Sequence, residues 1–386
     1  MLQQTVYEAG DETYKADPSA QSSKSLRILC VWRHRVAAFG HYTSRRLCGP
    51  YLSSSGCQWC RFNGDTAASS RMVLRVLDRQ LLRSAGCRAL MARLQRQAQR
   101  QTQRQSRGCV YSSVHGFDRE EISGKLRAFP GGSVDLLRRD SGIAVLTINN
   151  PARMNAFSGS MMVELEERVS QLESWTEGKG LVVQGAAGTF CSGSDLNAVQ
   201  AISNPQDGMK MCMFMQDALT RLLRLPLISV ALVEGRAVGG GSELATACDF
   251  RLMTPGSVIQ FVHKHMGLVP GWGGAARLVR IVGSRNALKL LGGALKVDPE
   301  LGLGIGLADG VLEADEDAGT PLQQAENWLR RYTEGPAPVI QAVKKVVLAG
   351  RELPLTEALR TEKDVFGTVW GAPANLQALA SKSKHR

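Results

Sequence analysis

The chain of 386 residues carries 47 Lys and Arg against 35 Asp and Glu, a net charge of +12, and is 44% hydrophobic; it contains no apolar run of the roughly 18 residues that a membrane span requires. The length admits one large domain or two small ones. The charge is uneven: residues 1–108 hold 18 Lys and Arg and 6 Asp and Glu, whereas 109–386 hold 29 of each, so the larger part offers no electrostatic case for nucleic acid.

Residues 1–110 read as a basic, largely disordered extension. They mix Ser, Gly, Gln and Arg without a sustained period and end in RLQRQAQRQTQRQSR, which buries too little to offset the entropy of ordering it. The one helical candidate there is 72–106. Arg93, Arg96, Arg100, Arg104 and Arg107 recur at three- and four-residue steps, and no acidic residue lies between Met91 and Phe117. That basic face invites a mitochondrial presequence reading, but the opposing face is Gln and Ala instead of an apolar stripe. The expected compartment is therefore the cytosol, with the mitochondrion as the alternative if the 91–117 segment acts as a presequence. A start at Met91 would leave a short basic leader, and residues 1–90 then read as an upstream extension. Six of the nine cysteines fall within the first 109 residues. Cys57-Gln-Trp-Cys60 has the spacing of a metal or redox pair, but no second pair follows at ligand distance, so no metal site is expected. Cys191, Cys212 and Cys248 lie in apolar segments and are expected to be inert core thiols in a reducing compartment.

From there, strand and helix patterns alternate as in an α/β domain. Strand 143–148 leads to helix 158–173, opened by Ser158, and strand 180–185 follows. Pro226 stops helix 208–223 ahead of strand 227–233. Helix 241–248 precedes strands 250–253 and 258–262. Helices are expected at 273–282, 285–291 and 299–307, and from 320 onward the pattern is helical throughout, at 321–332, 336–349 and 355–367. Residues 111–320 form the expected core, and 321–386 a C-terminal helical cap.

Two turns carry the chemistry. Phe190-Cys-Ser-Gly-Ser-Asp-Leu196 and Gly239-Gly-Gly-Ser-Glu243 each follow a strand-like run and lead into a helix. Three successive glycines let a substrate approach the bare backbone, and a helix start leaves N–H groups without intrahelical partners. Two such turns facing one another suit a carbonyl oxygen on which negative charge builds, as in an enolate.

FCSGSDL, AVGGGSELATACDFRLMTP and GLVPGWGGAARLVRIVG, preceded by NNPARMNAFSGSMM at 149–162, resemble the crotonase (enoyl-CoA hydratase/isomerase) superfamily in order and separation, over roughly residues 142–370. HGFDREEI, SGSDLNAV, FVHKHMGLVPGWGG and GTVWGAPANL are most similar to the superfamily's decarboxylases of 2-carboxyacyl-CoA thioesters. The resemblance implies a spiral core of repeated ββα units with a C-terminal helical cap, a homotrimer or hexamer, and an acyl-CoA substrate. It implies no separate cofactor, because CoA is part of the substrate. It places the oxyanion hole at the backbone N–H groups of Ser194 and Gly240, and the CoA contacts at Arg153, Met154, Ser192 and Leu196; Arg153 reads equally as a solvated turn charge. Asp195 is expected to fix its own loop.

A hydratase of this family uses two glutamates, because one water must be both deprotonated and held for attack. The first is present as Glu243. Between Gln260 and Gly274 there is no Asp or Glu, and His263 falls where the second would be, with His265 as its rival. Loss of CO2 needs no activated water; it needs an oxyanion hole, an apolar wall, for which Trp272 is the candidate, and a proton donor for the enolate. The expected reaction is therefore decarboxylation, and the resemblance implies ethylmalonyl-CoA, or next methylmalonyl-CoA, as the substrate, giving the acyl-CoA and CO2. Glu243 is an orienting group or proton donor in that scheme, and His263 is carboxylate-facing or proton-relaying. One methylene separates the two substrates, a difference worth only about 1–3 kcal/mol in a pocket. An enoyl-CoA isomerase, which needs one carboxylate, is the nearest alternative, and a hydratase ranks below it. From another class, an RNA-binding relative would use the basic 72–108 segment, whose arginines lack interleaved aromatics.

Overall fold

The computed structural model describes residues 117–383; the 72–106 helical candidate, the basic leader, the Cys57–Cys60 pair and the Met91 start lie outside the described residues. A six-stranded sheet runs in the order β1-β2-β3-β4-β6-β9. Its members are β1 (Ser133–Arg138), β2 (Ile143–Asn149), β3 (Gly180–Gly185), β4 (Ile228–Val233), β6 (Phe250–Met253) and β9 (Gly310–Val311). β1 is antiparallel to β2, and every later pairing is parallel. A second, three-stranded sheet holds β5 (Arg236–Val238), β7 (Val258–Gln260) and β8 (Lys296–Val297) in the order β5-β7-β8.

The central strands IAVLTIN, GLVVQG and ISVALV are buried along nearly their whole length, as parallel strands covered on both faces must be. Leu146, Val183, Ala231 and Val233 share one core with helices α2 (Gly159–Glu173) and α4 (Pro205–Leu223). Ile143, Val182, Val230 and Leu252 face the other way, onto Ala325 and Leu329 of α8 (Pro321–Thr333). Side chains supply the N-caps. Ser158 accepts from Met161 N–H, Asn204 from Asp207 N–H, and Thr320 with Gln323 forms a capping box, which satisfies amides that have no partner in the first turn.

The structure departs from the sequence reading in several places. α1 (Arg119–Arg127), β1 and α11 (Pro373–Ser383) carry no strong periodic signal of their own. α1 buries only Ile122 and Leu126 and is pinned instead by Arg119, which pairs with Glu166 and with the buried Asp217. The strand predicted to Val262 ends at Gln260, and His263–Met266 forms a 3-10 turn. By contrast, the helices predicted at 273–282 and 285–291 are both found, as the two halves of α6 (Gly274–Gly293), broken at Gly283, where φ 76° and ψ 160° interrupt the helical backbone.

Downstream, α9 (Ala337–Glu352) packs against α10 (Leu355–Val369). Lys344 of α9, buried, donates to both carboxylate oxygens of Asp249 at the start of β6. Asp249 also accepts the backbone and hydroxyl hydrogens of Ser229. Among the described residues no helix is long and apolar enough to cross a membrane.

Candidate active site

The two small-residue turns lie side by side. Phe190 N–H donates to Glu234 O at 2.8 Å, Cys191 N–H to Arg236 O at 3.0 Å, and Val238 N–H back to Cys191 O at 2.9 Å, so the 190–191 segment runs along β5 and both enter their turns together. On the far side Ser194 bridges to Phe157, which donates to Gly193 O at 2.7 Å and accepts from Asp195 N–H at 2.8 Å. The approach of the two turns is closest at glycine: a Cβ on Gly193 would lie 3.0 Å from the Gly240 nitrogen, and one on Gly241 would lie 2.0 Å from the Cys191 carbonyl oxygen. Gly239 adopts φ 55° and ψ −120°, a conformation that residues with a Cβ rarely enter. Gly240 opens α5 (Gly240–Ala245), so its N–H has no intrahelical acceptor. Neither that N–H nor the one on Ser194 bonds to another protein group among the described residues.

Glu243, one turn into α5, is 1% exposed. Its Oε2 accepts Trp272 N–H at 2.8 Å and Gly274 N–H at 2.7 Å, and its Oε1 lies 3.2 Å from Gly271 N and 3.0 Å from His263 Nε2. Both oxygens are thus occupied as acceptors. Gly274 has no room for a side chain, since its Cβ would fall 2.4 Å from Glu243 Cγ. The same loop lays Trp272, 3% exposed, over the oxyanion turn. A Cβ on Gly240 would be 2.7 Å from its ring, and Phe157 meets the ring edge-on at 5.7 Å between centroids. Trp272 is at once a core residue and the apolar wall beside Gly240.

Of the two candidate histidines, His263 reaches Glu243, and His265 is exposed on the outer side of the 3-10 turn. Lys264 is exposed as well and donates to Gly292 O near the end of α6. Of His263, Lys264 and His265, His263 therefore contributes the contact with Glu243.

The four residues assigned to CoA come together on the surface. Ser192 N–H donates to Met154 O at 3.0 Å, and Ser192 Oγ to Arg153 O at 3.2 Å, so the PARMNAF turn is stitched to the first oxyanion turn. Buried Asn155 holds that turn, accepting from Asn150 N–H and donating to Ala186 O and Thr189 O. Met154 and Leu196 are 57% and 58% exposed, apolar surface left open on both adjoining loops, and Arg153 is exposed beside them. Asp195 caps α3 (Leu196–Ala201) by accepting from Asn197 N–H at 2.8 Å.

One residue beside Glu243 was not singled out from the sequence. Arg277 is buried; its guanidinium donates to Glu243 O, Trp272 O and Thr246 Oγ1. Burial pushes its pKa down to about 10, against the pull of the Glu243 charge, so the group stays cationic at neutral pH. In the sequence it reads as an ordinary charge within GGAARL. Cys212, expected in the core, is only half-buried: its Sγ donates to Gly271 O at 2.7 Å and accepts from Gln216 Nε2 at 3.2 Å, while Gln216 donates to Gly271 O at 2.9 Å. Burial first, and then the Glu243 charge, raises its thiol pKa. Cys191 and Cys248 are buried as expected, and burial pushes both thiols up to about 12. Among the described residues no group of three or more His, Cys, Asp or Glu side chains has metal-binding geometry.

A family model described as Enoyl-CoA hydratase/isomerase matches residues 138–375. The chain is 72% identical to an ethylmalonyl-CoA decarboxylase of Danio rerio over 267 residues, 69% of this chain and 88% of the relative. It is 66% identical to an ethylmalonyl-CoA decarboxylase of Gallus gallus over 278 residues, 72% of this chain and 93% of the relative. Among solved structures, an enoyl-CoA hydratase from Bacillus anthracis superposes with a TM-score of 0.60 at 21% identity, over 66% of this chain and 96% of that one. That last likeness is one of fold.

Proposed function

The chain belongs to the enoyl-CoA hydratase/isomerase family, and within it we propose that the chain decarboxylates ethylmalonyl-CoA, giving butyryl-CoA and CO2 through an enolate. The observation that carries this reading is the pairing of Glu243 with His263 where a hydratase would present two carboxylates. With both oxygens of Glu243 engaged and no Asp or Glu between Gln260 and Gly274, there is no second carboxylate in that segment to deprotonate and hold a water. The names and identities of the Danio rerio and Gallus gallus relatives support the same reaction.

In this scheme the thioester oxygen sits between the N–H groups of Ser194 and Gly240. These bonds strengthen as the C2–carboxylate bond breaks and charge moves onto the oxygen, which is where preorganised donors contribute most. Trp272 excludes water from that side, and His263, held by Glu243, is a proton-bearing group on the same side of the site. Arg153, Met154, Ser192 and Leu196 receive the nucleotide and pantetheine of CoA, with Met154 and Leu196 offering apolar surface to the adenine. The chemistry calls for no cofactor beyond the CoA ester itself.

Offering the full chain ethylmalonyl-CoA, methylmalonyl-CoA and crotonyl-CoA in parallel, with mass spectrometry of the thioesters, tests the assignment. Butyryl-CoA is expected from the first, propionyl-CoA more slowly from the second, and unchanged crotonyl-CoA from the third. Hydration of crotonyl-CoA with both malonyl esters intact would overturn it.

We further propose that the chain is a homotrimer or a dimer of trimers. Val347, Leu355, Phe366 and Trp370 leave large apolar side chains exposed along α9 and α10 and just beyond them, more clustered apolar surface than a soluble monomer normally presents. Light scattering is expected to give three or six times the protomer mass, and a monomer across micromolar concentrations would refute it.

A further inference from the structure

His263 is tied at one end only. Nε2 is spent on Glu243 Oε1 at 3.0 Å, while Nδ1 is buried without a hydrogen-bond partner among the described residues. Buried polar atoms are nearly always paired, and an orphan calls for an explanation. Glu243 already accepts from Gly271, Trp272 and Gly274. A carboxylate used in this way offers only acceptors, so Nε2 carries the ring hydrogen. Nδ1 is then a lone pair in the neutral ring and an N–H in the imidazolium. The ring is linked through its neighbours to the Gly239–Gly240 turn. The Val262 side chain lies 3.7 Å from where a Cβ on Gly239 would stand, and Trp272, which shares Glu243 with His263, covers Gly240.

We propose that Nδ1 of His263 carries the proton to and from C2 of the acyl thioester, with Glu243 as its positioning residue, and that the enzyme therefore also exchanges the C2 hydrogen of a saturated acyl-CoA with solvent. The inference rests on the decarboxylase reading for its forward direction. There the bond from C2 to the carboxylate breaks and CO2 leaves, the electron pair remains as the enolate, and the Nδ1–H bond of the imidazolium breaks as C2–H forms. The ring regains a proton from water, the one proton that the net reaction consumes. In the exchange reaction neutral His263 takes a C2 hydrogen from butyryl-CoA, the oxyanion turn holds the resulting enolate, and a solvent-derived proton returns along the same path. No bond to carbon other than C2–H changes, and no redox partner is needed.

The test uses the full chain in D2O. Butyryl-CoA alone is expected to gain a deuterium at C2, read by mass spectrometry, and ethylmalonyl-CoA to give butyryl-CoA deuterated in one configuration. His263→Gln is expected to slow exchange by about 10²-fold or more, the usual share of a positioned acid–base group. CO2 release, which needs the enolate stabilised but no base, is expected to fall less, with deuterium then entering from both faces. Glu243→Gln provides a second variant with the same outline. Trp272 and Gly274 N–H still require oxygen at Oε2, which turns the amide NH2 toward Nε2 and drives the ring hydrogen to Nδ1, the wrong tautomer for a base. Exchange should fall with the circular dichroism unchanged, and by more than CO2 release does, a split that a purely structural role would not produce. Wild-type protein that releases CO2 without exchanging butyryl-CoA, or either variant exchanging at the wild-type rate, overturns the proposal. Exchange without CO2 release would instead sink the decarboxylase reading alone.

Discussion

Gly240→Val is expected to lower CO2 release from ethylmalonyl-CoA by about 10²- to 10³-fold, the loss typical when one oxyanion donor is removed, while the protein stays folded. Gly240 does not occupy the positive-φ region, unlike Gly239, so the backbone accepts a side chain there. The space does not, because the new Cβ would start 2.7 Å from the Trp272 ring. Either the ring moves off the turn or the side chain enters the volume that the thioester oxygen needs, and both outcomes remove the donor geometry while leaving the core formed. Release of CO2 assayed beside circular dichroism separates this from unfolding. Near-wild-type turnover in a folded Gly240→Val protein would mean that the enolate forms elsewhere.

Lys344→Met is expected to lower stability by about 3–5 kcal/mol, or on the order of 10 °C in melting temperature for a domain of this size. The methionine fills most of the volume, so the loss comes from electrostatics: the partly buried Asp249 carboxylate is left without its cation. Burial lowers the Lys344 pKa, and the Asp249 charge opposes that shift, so the ammonium persists because the carboxylate is there. Adding Asp249→Asn keeps an acceptor for Ser229 N–H and removes the stranded charge. The double variant is accordingly expected to melt well above Lys344→Met. A double variant no better than the single one would show that the pair contributes packing alone.

The parts of this molecule legible in the sequence are those set by neighbours in the chain. Strands 143–148, 180–185 and 250–253 announce themselves as apolar runs because both faces are covered, and Ser158 and Thr320 mark helix starts through bonds to amides three residues on. The two oxyanion turns are legible for a related reason. Where backbones meet at 2–3 Å only glycine fits, so the fold writes GGG and SGS into the sequence. The missing second carboxylate is equally plain, since absence from a segment needs no coordinates.

Contacts between distant segments were not legible. As a strand, 258–262 continued through the next residues would have put His263 and His265 on one face, because side chains two apart share a face in a strand. The 3-10 turn that forms instead, with three residues per turn, separates them, so that one meets Glu243 and the other meets water. Arg277 reads as an ordinary charge in GGAARL until the tertiary fold wraps it in three carbonyl and hydroxyl acceptors. Lys344 and Asp249 stand 95 residues apart, and no periodicity relates them. The sequence by itself determined the strands, the turns and the number of carboxylates available to the chemistry, because steric fit and burial leave local marks. The tertiary structure alone decided which histidine Glu243 holds and which charges are buried together, because those depend on the direction in which each side chain leaves its element and on what the fold has placed opposite it.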